Sequence, residues 1–216
     1  MEKYFKILRK CPLFAGVSED ELVTALDVLD AKVRRFGRRE TVLSEGEPPR
    51  FIGIVLSGAV QIVRMDYYGN RSIVTNIEPS EMFGESFAWA GIKSMPVSVV
   101  ANDGAEIVMI DHKKLTGGTD ELSAKLTYNL IRILAAKNVY FNQKLEITSK
   151  RTTREKLMAY LMWQAKRNNR SSFTIPFDRQ ELADYLEVER SGLSMEISKL
   201  RREGVIKSER SWFELL

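Results

Sequence analysis

A stretch of 27 residues, Asp120 to Glu146, contains neither proline nor glycine. Along it Leu122, Leu126, Leu130, Ile133, Leu134, Tyr140, Phe141 and Leu145 fall mostly at three- and four-residue steps, the period of one helix face. At 1.5 Å per residue such a helix spans about 40 Å. That is longer than the β-rich segment before it, roughly 80 residues, needs for its own cover. The chain must therefore be organised around one long helix with a unit on either side. A wide apolar stripe that outruns one domain reads as a dimerisation seam; the other possibility is a helix packed only on its own domain.

The segment before this helix opens with a short helical cap. Ser18 and Glu21 form a capping box ahead of Leu22, Leu26 and Leu29. From about Ala31 to Ile110 the pattern becomes short β-rich runs, at 51–56, 59–63, 71–75 and 106–110. Turn signals separate them at 46–49, Ser57-Gly58, 68–70 and 78–80. Many short strands at close spacing predict an antiparallel roll rather than a βαβ sheet. After the long helix, Thr148 to Thr153 is a polar interruption that reads as a hinge. A helix from Arg154 to Lys166 follows, then a strand at Ser172–Ile175, two helices, and strand–turn–strand at Val205–Lys207 and Trp212–Leu215. The expected class is α+β, with a sensor-like roll over 1–118, a coupling helix over 119–148 and a small terminal domain over 149–216.

Side-chain inventory removes several chemistries. One cysteine, Cys11, is too few for an iron–sulfur cluster or a zinc site. Redox sensing through a disulfide would need Cys11 of two subunits to meet. The single histidine, His112, lies in Asp111-His112-Lys113-Lys114 and reads as a turn residue rather than a haem ligand. No P-loop, metal spacing or recognisable carboxylate pair suggests an enzyme, and no metal or cofactor is expected. No run approaches 18 uncharged apolar residues, and the N-terminal residues carry no secretory pattern, so the expected location is cytoplasmic, with no membrane partner. The net charge is only +4, but its location is informative. The last 68 residues hold 14 Lys/Arg against 10 Asp/Glu, whereas the preceding 148 hold 19 of each. A basic terminal domain on a neutral body fits a polyanionic partner.

The most specific local motif lies in that basic third, from Phe177 to Ser194. Asp178 and Glu181 form a capping box; a helix stops near Leu186, a tight turn covers 187–189, and a second helix runs to about Glu203, with Gly204 after it. Leu182, Leu186, Val188, Leu193, Ile197 and Leu200 are spaced so that two steeply crossed helices share a core, the helix-turn-helix pattern. With Leu193, Ile197 and Leu200 inward, Ser191, Ser194, Met195, Ser198 and Arg202 face outward. Small hydroxyl side chains there let a helix enter a DNA major groove about 12 Å wide. Arg190 is placed for guanine O6/N7 or a phosphate; Lys199, Arg201, Lys207 and Arg210 are candidates for phosphates. Glu189 stands at the N-cap, where Ser, Thr or Asn is usual. A winged helix that contacts protein instead of DNA is the alternative.

Taken in order, the pieces resemble the CRP/FNR superfamily of bacterial transcription regulators over essentially the whole chain. Those pieces are Pro12-Leu13-Phe14-Ala15-Gly16-Val17-Ser18, Glu45-Gly46-Glu47, Leu56-Ser57-Gly58, Phe83-Gly84-Glu85, the long helix, and Arg179-Gln180-Glu181-Leu182-Ala183. The resemblance implies a cyclic-nucleotide-binding-type roll, a dimerising helix and a winged helix-turn-helix, in which Arg179 and Gln180 join the DNA-contacting set. It implies homodimers on palindromic double-stranded operators with half-sites about one helical turn apart, and RNA polymerase as a partner if the protein activates.

It also implies an effector pocket formed by Phe83, Gly84, Glu85, Ser86, Trp89, Met95, Pro96, Val97 and Ser98, faced by Tyr140 and Phe141. In nucleotide-binding members the Phe-Gly-Glu segment is followed by an Arg-Ser/Thr-Ala cluster, in which arginine neutralises the cyclic phosphate and the Glu takes a ribose hydroxyl. Here the cluster reads Met95-Pro96-Val97-Ser98, with no arginine, and Pro96 lacks an N–H donor. Loss of that charge should cost on the order of hundreds-fold in affinity. The expectation is therefore an effector other than cyclic AMP, or a vestigial pocket filled by aromatic packing around Tyr140 and Phe141. A true cyclic-nucleotide-responsive regulator is the alternative.

Overall fold

The computed structural model describes residues 2–115 and 118–216. It divides into two compact units, one comprising residues up to Met65 with Val74–Asn138, the other Asp66–Ile73 with Val139–Leu216. The break falls inside the long helix, ten residues before the hinge expected from sequence at Thr148.

The first unit begins with helices α1 (Phe5–Leu8) and α2 (Glu19–Val28). At the start of α2 the Ser18 hydroxyl accepts from the Glu21 N–H and the Glu21 carboxylate from the Ser18 N–H, as the sequence predicts. Strands β1 (Lys32–Phe36), β2 (Thr41–Leu43), β3 (Ile52–Met65), β4 (Arg71–Ile77), β5 (Met82–Phe83) and β6 (Ser98–Ile110) form one six-stranded sheet, with α3 (Glu85–Trp89) after β5. The order is β1-β6-β3-β4, with β2 on β6 and β5 on β3; the β1–β6, β2–β6, β3–β5 and β3–β6 pairs are antiparallel. The antiparallel β-rich unit is as expected, with a correction to its strands. Ser57-Gly58 is not a turn between two strands but a bulge inside β3, with register shifts on both sides. A Cβ on Gly58 would lie 1.9 Å from the Gly104 carbonyl oxygen, and its φ is +73°, so the β6 crossing requires glycine there.

The long helix α4 runs from Glu121 to Thr148. Its Leu126, Leu130 and Ile133 are buried with Leu13, Leu22, Leu26, Ile54 and Val108, and Leu122 and Leu134 pack against the same cluster. The Asn129 amide donates to the Leu13 and Ala15 carbonyls. The stripe expected to form a dimer seam is thus largely consumed by the chain's own core. A different stripe, Ala124, Tyr128, Ile131, Ala135, Asn138, Asn142 and Leu145, is exposed at every position. Its alternating steps of four and three are the a/d spacing of a coiled coil.

The second unit contains the end of α4, helices α5 (Thr153–Asn168), α6 (Arg179–Leu186) and α7 (Arg190–Arg202), and strands β7 (Ser172–Thr174), β8 (Ile206–Glu209) and β9 (Trp212–Leu215). The strands form an antiparallel sheet ordered β7-β9-β8. An aromatic cluster holds it together. Tyr160, Phe177 and Tyr185 stack with centroids 4.9–6.5 Å apart, and Trp163 lies between Tyr160 and Tyr140. The Tyr140 and Tyr185 hydroxyls are 3.1 Å apart, and burial pushes the Tyr185 phenol pKa up. Within this unit the 66–73 segment is fastened by Arg71 to Asp184 at 3.5 Å, and the Lys144 ammonium donates to the Ile73 carbonyl above the Tyr185 ring.

Candidate functional site

The helix-turn-helix is built by two local devices. Asp178 caps α6, accepting from the Glu181 N–H while the Glu181 carboxylate accepts from Asp178. Glu187 then turns the chain with φ +54°, and α7 starts at Arg190 without a side-chain cap on Glu189, the irregularity already visible in the sequence. Leu193, Ile197 and Leu200 are buried and fix the rotation of α7. That rotation leaves Ser191, Met195, Ser198 and Arg202 exposed at spacings of four, three and four, one straight stripe along the outer face. Met195 is 68% exposed. Ser194 and Lys199 flank the stripe, and the Ser198 hydroxyl donates to the Ser194 carbonyl. Arg190, Lys199 and Arg202 are exposed and make no intrachain ion pair among the described residues.

A cleft of about 620 Å³ opens beside the end of α7, lined by Arg179, Arg201, Lys207, Arg210 and Trp212 among others. Lys207 is held 3.0 Å from Glu214. Arg179 is half-buried: its guanidinium donates to Ser208 and lies 4.9 Å over the Phe213 ring. Burial, followed by the charge of Arg201, lowers its pKa from the usual arginine value. This arginine ties α6 to the β8–β9 wing rather than reaching outward. Gln180 is exposed and bonded to Asp184 at 2.7 Å. Trp212, expected only as part of a strand, also lines this cleft beside the phosphate candidates Arg201, Lys207 and Arg210.

Within the first unit, the residues expected to line an effector pocket divide between the core and the surface. Phe83, Met95 and Val97 are buried in the core of the roll with Val55, Val99 and Ile107. Pro96 is exposed, and the Ser98 hydroxyl accepts from the Glu45 N–H. The Met95 N–H donates to the Glu47 carbonyl, and its own carbonyl accepts from Gly46. Glu85 is only 1% exposed, and its Oε1 is 2.7 Å from the Lys137 ammonium, which also donates to the Met82 carbonyl. Its Oε2 is buried without a hydrogen-bond partner. The family resemblance puts Glu85 in the effector pocket, and Lys137, which engages it, is not among the residues expected there. Ser86 and Trp89 are exposed on α3. Tyr140 belongs to the aromatic cluster of the second unit, and Phe141 beside it is exposed.

Cys11 is buried, and burial pushes its thiol up to about 12. Among the described residues no group of three or more His, Cys, Asp or Glu side chains is placed to hold a metal ion, and no helix is long and apolar enough to cross a membrane.

Two family models match this chain: "Cyclic nucleotide-binding domain" over residues 33–117 and "Crp-like helix-turn-helix domain" over residues 155–216. Together they span more than half of it. The transcriptional activator protein FnrA of Stutzerimonas stutzeri is 24% identical over 193 residues, covering 86% of this chain and 77% of its own length. The CRP-like cAMP-activated global transcriptional regulator of Mycobacterium tuberculosis is 39% identical over 80 residues, 37% of this chain and 35% of that protein. Among solved structures, the c-di-GMP responsive global regulator CLP of Xanthomonas campestris superposes with a TM-score of 0.75 at 16% identity, over 92% of this chain and 99% of that one, which speaks to the fold. The family relatives are named as transcription regulators, not as enzymes. With both units matched in order, the chain belongs to the CRP/FNR family of transcription regulators.

Proposed function

We propose that this regulator binds double-stranded operators as a homodimer and reads sequence through α7, under the control of a small effector other than cyclic AMP. The observation that carries the reading is the outward stripe Ser191, Met195, Ser198 and Arg202, narrow and free of bulky charge until its end, with Arg190 at the helix start. Such a face fits a major groove, while Lys199, Arg201, Lys207 and Arg210 take phosphates. The exposed a/d stripe of α4 supports pairing with a second copy. A two-fold dimer then reads half-sites about 34–36 Å apart. If the regulator activates, RNA polymerase is the further partner, and the cytoplasm is where it acts.

Against cyclic AMP stand the core positions of Met95 and Val97, the missing arginine at 95–98, and the engagement of Glu85 by Lys137. The cyclic-nucleotide family match and the cAMP-activated relative favour a second reading, a true cyclic-nucleotide regulator. One experiment separates the readings: fluorescence anisotropy on a random and a selected duplex across salt, with and without cyclic AMP. DNA binding demands a steep salt slope. Arg190→Ala should change sequence preference, whereas Lys207→Ala should weaken all duplexes alike. Tightening of operator binding by micromolar cyclic AMP would favour the second reading, and the absence of salt-dependent binding would refute both.

A further inference from the structure

We infer that Met195 reads the C5-methyl group of a thymine in each operator half-site. The inference rests on the DNA-binding reading of α7 and adds what that helix recognises. Met195 is the centre of the outward stripe, between Ser191 and Ser198, and is 68% exposed. An unbranched apolar side chain so placed leaves most of its surface to solvent. In the major groove the one apolar feature of a base pair is the thymine methyl; every other edge group is a hydrogen-bond donor or acceptor that a thioether satisfies poorly. The serines on either side are short, so Met195 projects beyond them and meets the groove floor first.

Gly192 gives an independent reason to place DNA close to this turn. It is the third residue of α7. A Cβ there would meet no heavy atom of the protein within 4 Å. Glycine inside a helix is unfavourable relative to alanine, so a glycine with free space needs a reason outside the chain. Gly192 lies one turn before Met195 and borders the same outer face, so a missing side chain there lets the helix sit deeper beside that methionine.

The test begins with the duplex selected by the full-length protein from a randomised pool. Each thymine of that duplex is then replaced singly by uracil, which removes only the methyl group. Wild-type protein should lose about fourfold in affinity per half-site at one thymine position, the value of one buried methyl group. Met195→Ala should lose the same factor on the thymine duplex and become indifferent to uracil at that position. Met195→Leu should keep the discrimination. Gly192→Ala should fold at least as stably as wild type yet bind the selected duplex more weakly. If specific binding persists and no uracil substitution weakens it, or if Met195→Ala keeps the uracil sensitivity, the methionine assignment is overturned. Undiminished binding by Gly192→Ala would overturn the close approach it depends on. Absence of any salt-dependent duplex binding would instead remove the DNA reading itself.

Discussion

Replacing Lys137 by methionine should destabilise the first unit by about 3–5 kcal/mol, because it leaves a buried carboxylate without a counter-charge. Glu85 is 1% exposed, its Oε1 is 2.7 Å from the Lys137 ammonium, and its Oε2 already has no hydrogen-bond partner. At an effective dielectric constant of about 20 the gross attraction at that separation is roughly 6 kcal/mol, before the cost of removing both groups from water. The hydrogen bond to the Met82 carbonyl adds about 1 kcal/mol to what Lys137→Met removes. The carboxylate bears most of the penalty, since the lysine side chain keeps 23% of its surface in solvent and the glutamate only 2%. Glu85→Gln should therefore cost only about 1–2 kcal/mol, and the double variant Glu85→Gln/Lys137→Met should recover most of the loss of the lysine variant. Urea unfolding of the four proteins, analysed as a double-mutant cycle, measures this coupling. A Lys137→Met loss below about 1 kcal/mol, or a double variant no more stable than Lys137→Met, would refute the picture of Glu85 as a committed ion-pair partner.

Three further outcomes follow from single positions. Cys11 should be inert to Ellman's reagent at pH 8 in the folded protein and react only on unfolding, because burial holds the thiol near 12. The sign follows from the raised value: the unfolded thiol ionises first, so this contribution to stability is full below about pH 9 and is lost as pH rises toward 12. Glu21 is shifted the other way, to about 2 from an ordinary 4.5, chiefly by the Ser18 N–H and then by Lys125. Its contribution is present above pH 4.5 and is lost as pH falls through 2, so Glu21→Gln should flatten the acid limb of a Tm-against-pH curve in that window. Gly53→Ala would put a Cβ 2.1 Å from Phe83 Cζ, so urea unfolding should show a loss of about 2 kcal/mol or more, relieved by Phe83→Leu. A Gly53→Ala protein as stable as wild type would refute that contact.

What could be read in the sequence was what neighbouring residues decide among themselves. The Ser18/Glu21 and Asp178/Glu181 boxes are hydrogen bonds between residues three apart, and both formed where their spacing placed them. Thr152 and Glu155 form a third box by the same rule, inside a segment whose polar composition suggests only a hinge. Gly58 shows the opposite case. A positive φ serves a turn and a bulge equally, and the deciding contact is the Gly104 carbonyl, 46 residues away. The α4 seam fails for the same reason. Two stripes of comparable spacing lie on one helix, and only packing of Leu126, Leu130 and Ile133 with Leu13, Leu22 and Leu26 decides which stripe is left outside.

The two candidate sites differ in legibility because one is convex and the other concave. On α7 the inward residues Leu193, Ile197 and Leu200 set the phase of the helix, and the outer face is then determined by 100° steps. An exposed helix face of this kind is the complement of a core, so the inward residues determine which side chains it presents. A pocket has no such complement. Whether Phe83, Met95 and Val97 line a cavity or fill it depends on the side chains that Val55, Val99 and Ile107 bring from other strands. Whether Glu85 is offered to a ligand depends on a lysine 52 residues later. Motif spacing can therefore place Gly84 and Glu85 correctly in the fold while leaving their chemistry undetermined. For this chain, then, the proposed operator-reading face can be tested residue by residue, whereas any effector must be sought by binding measurements rather than inferred from the retained Phe-Gly-Glu segment.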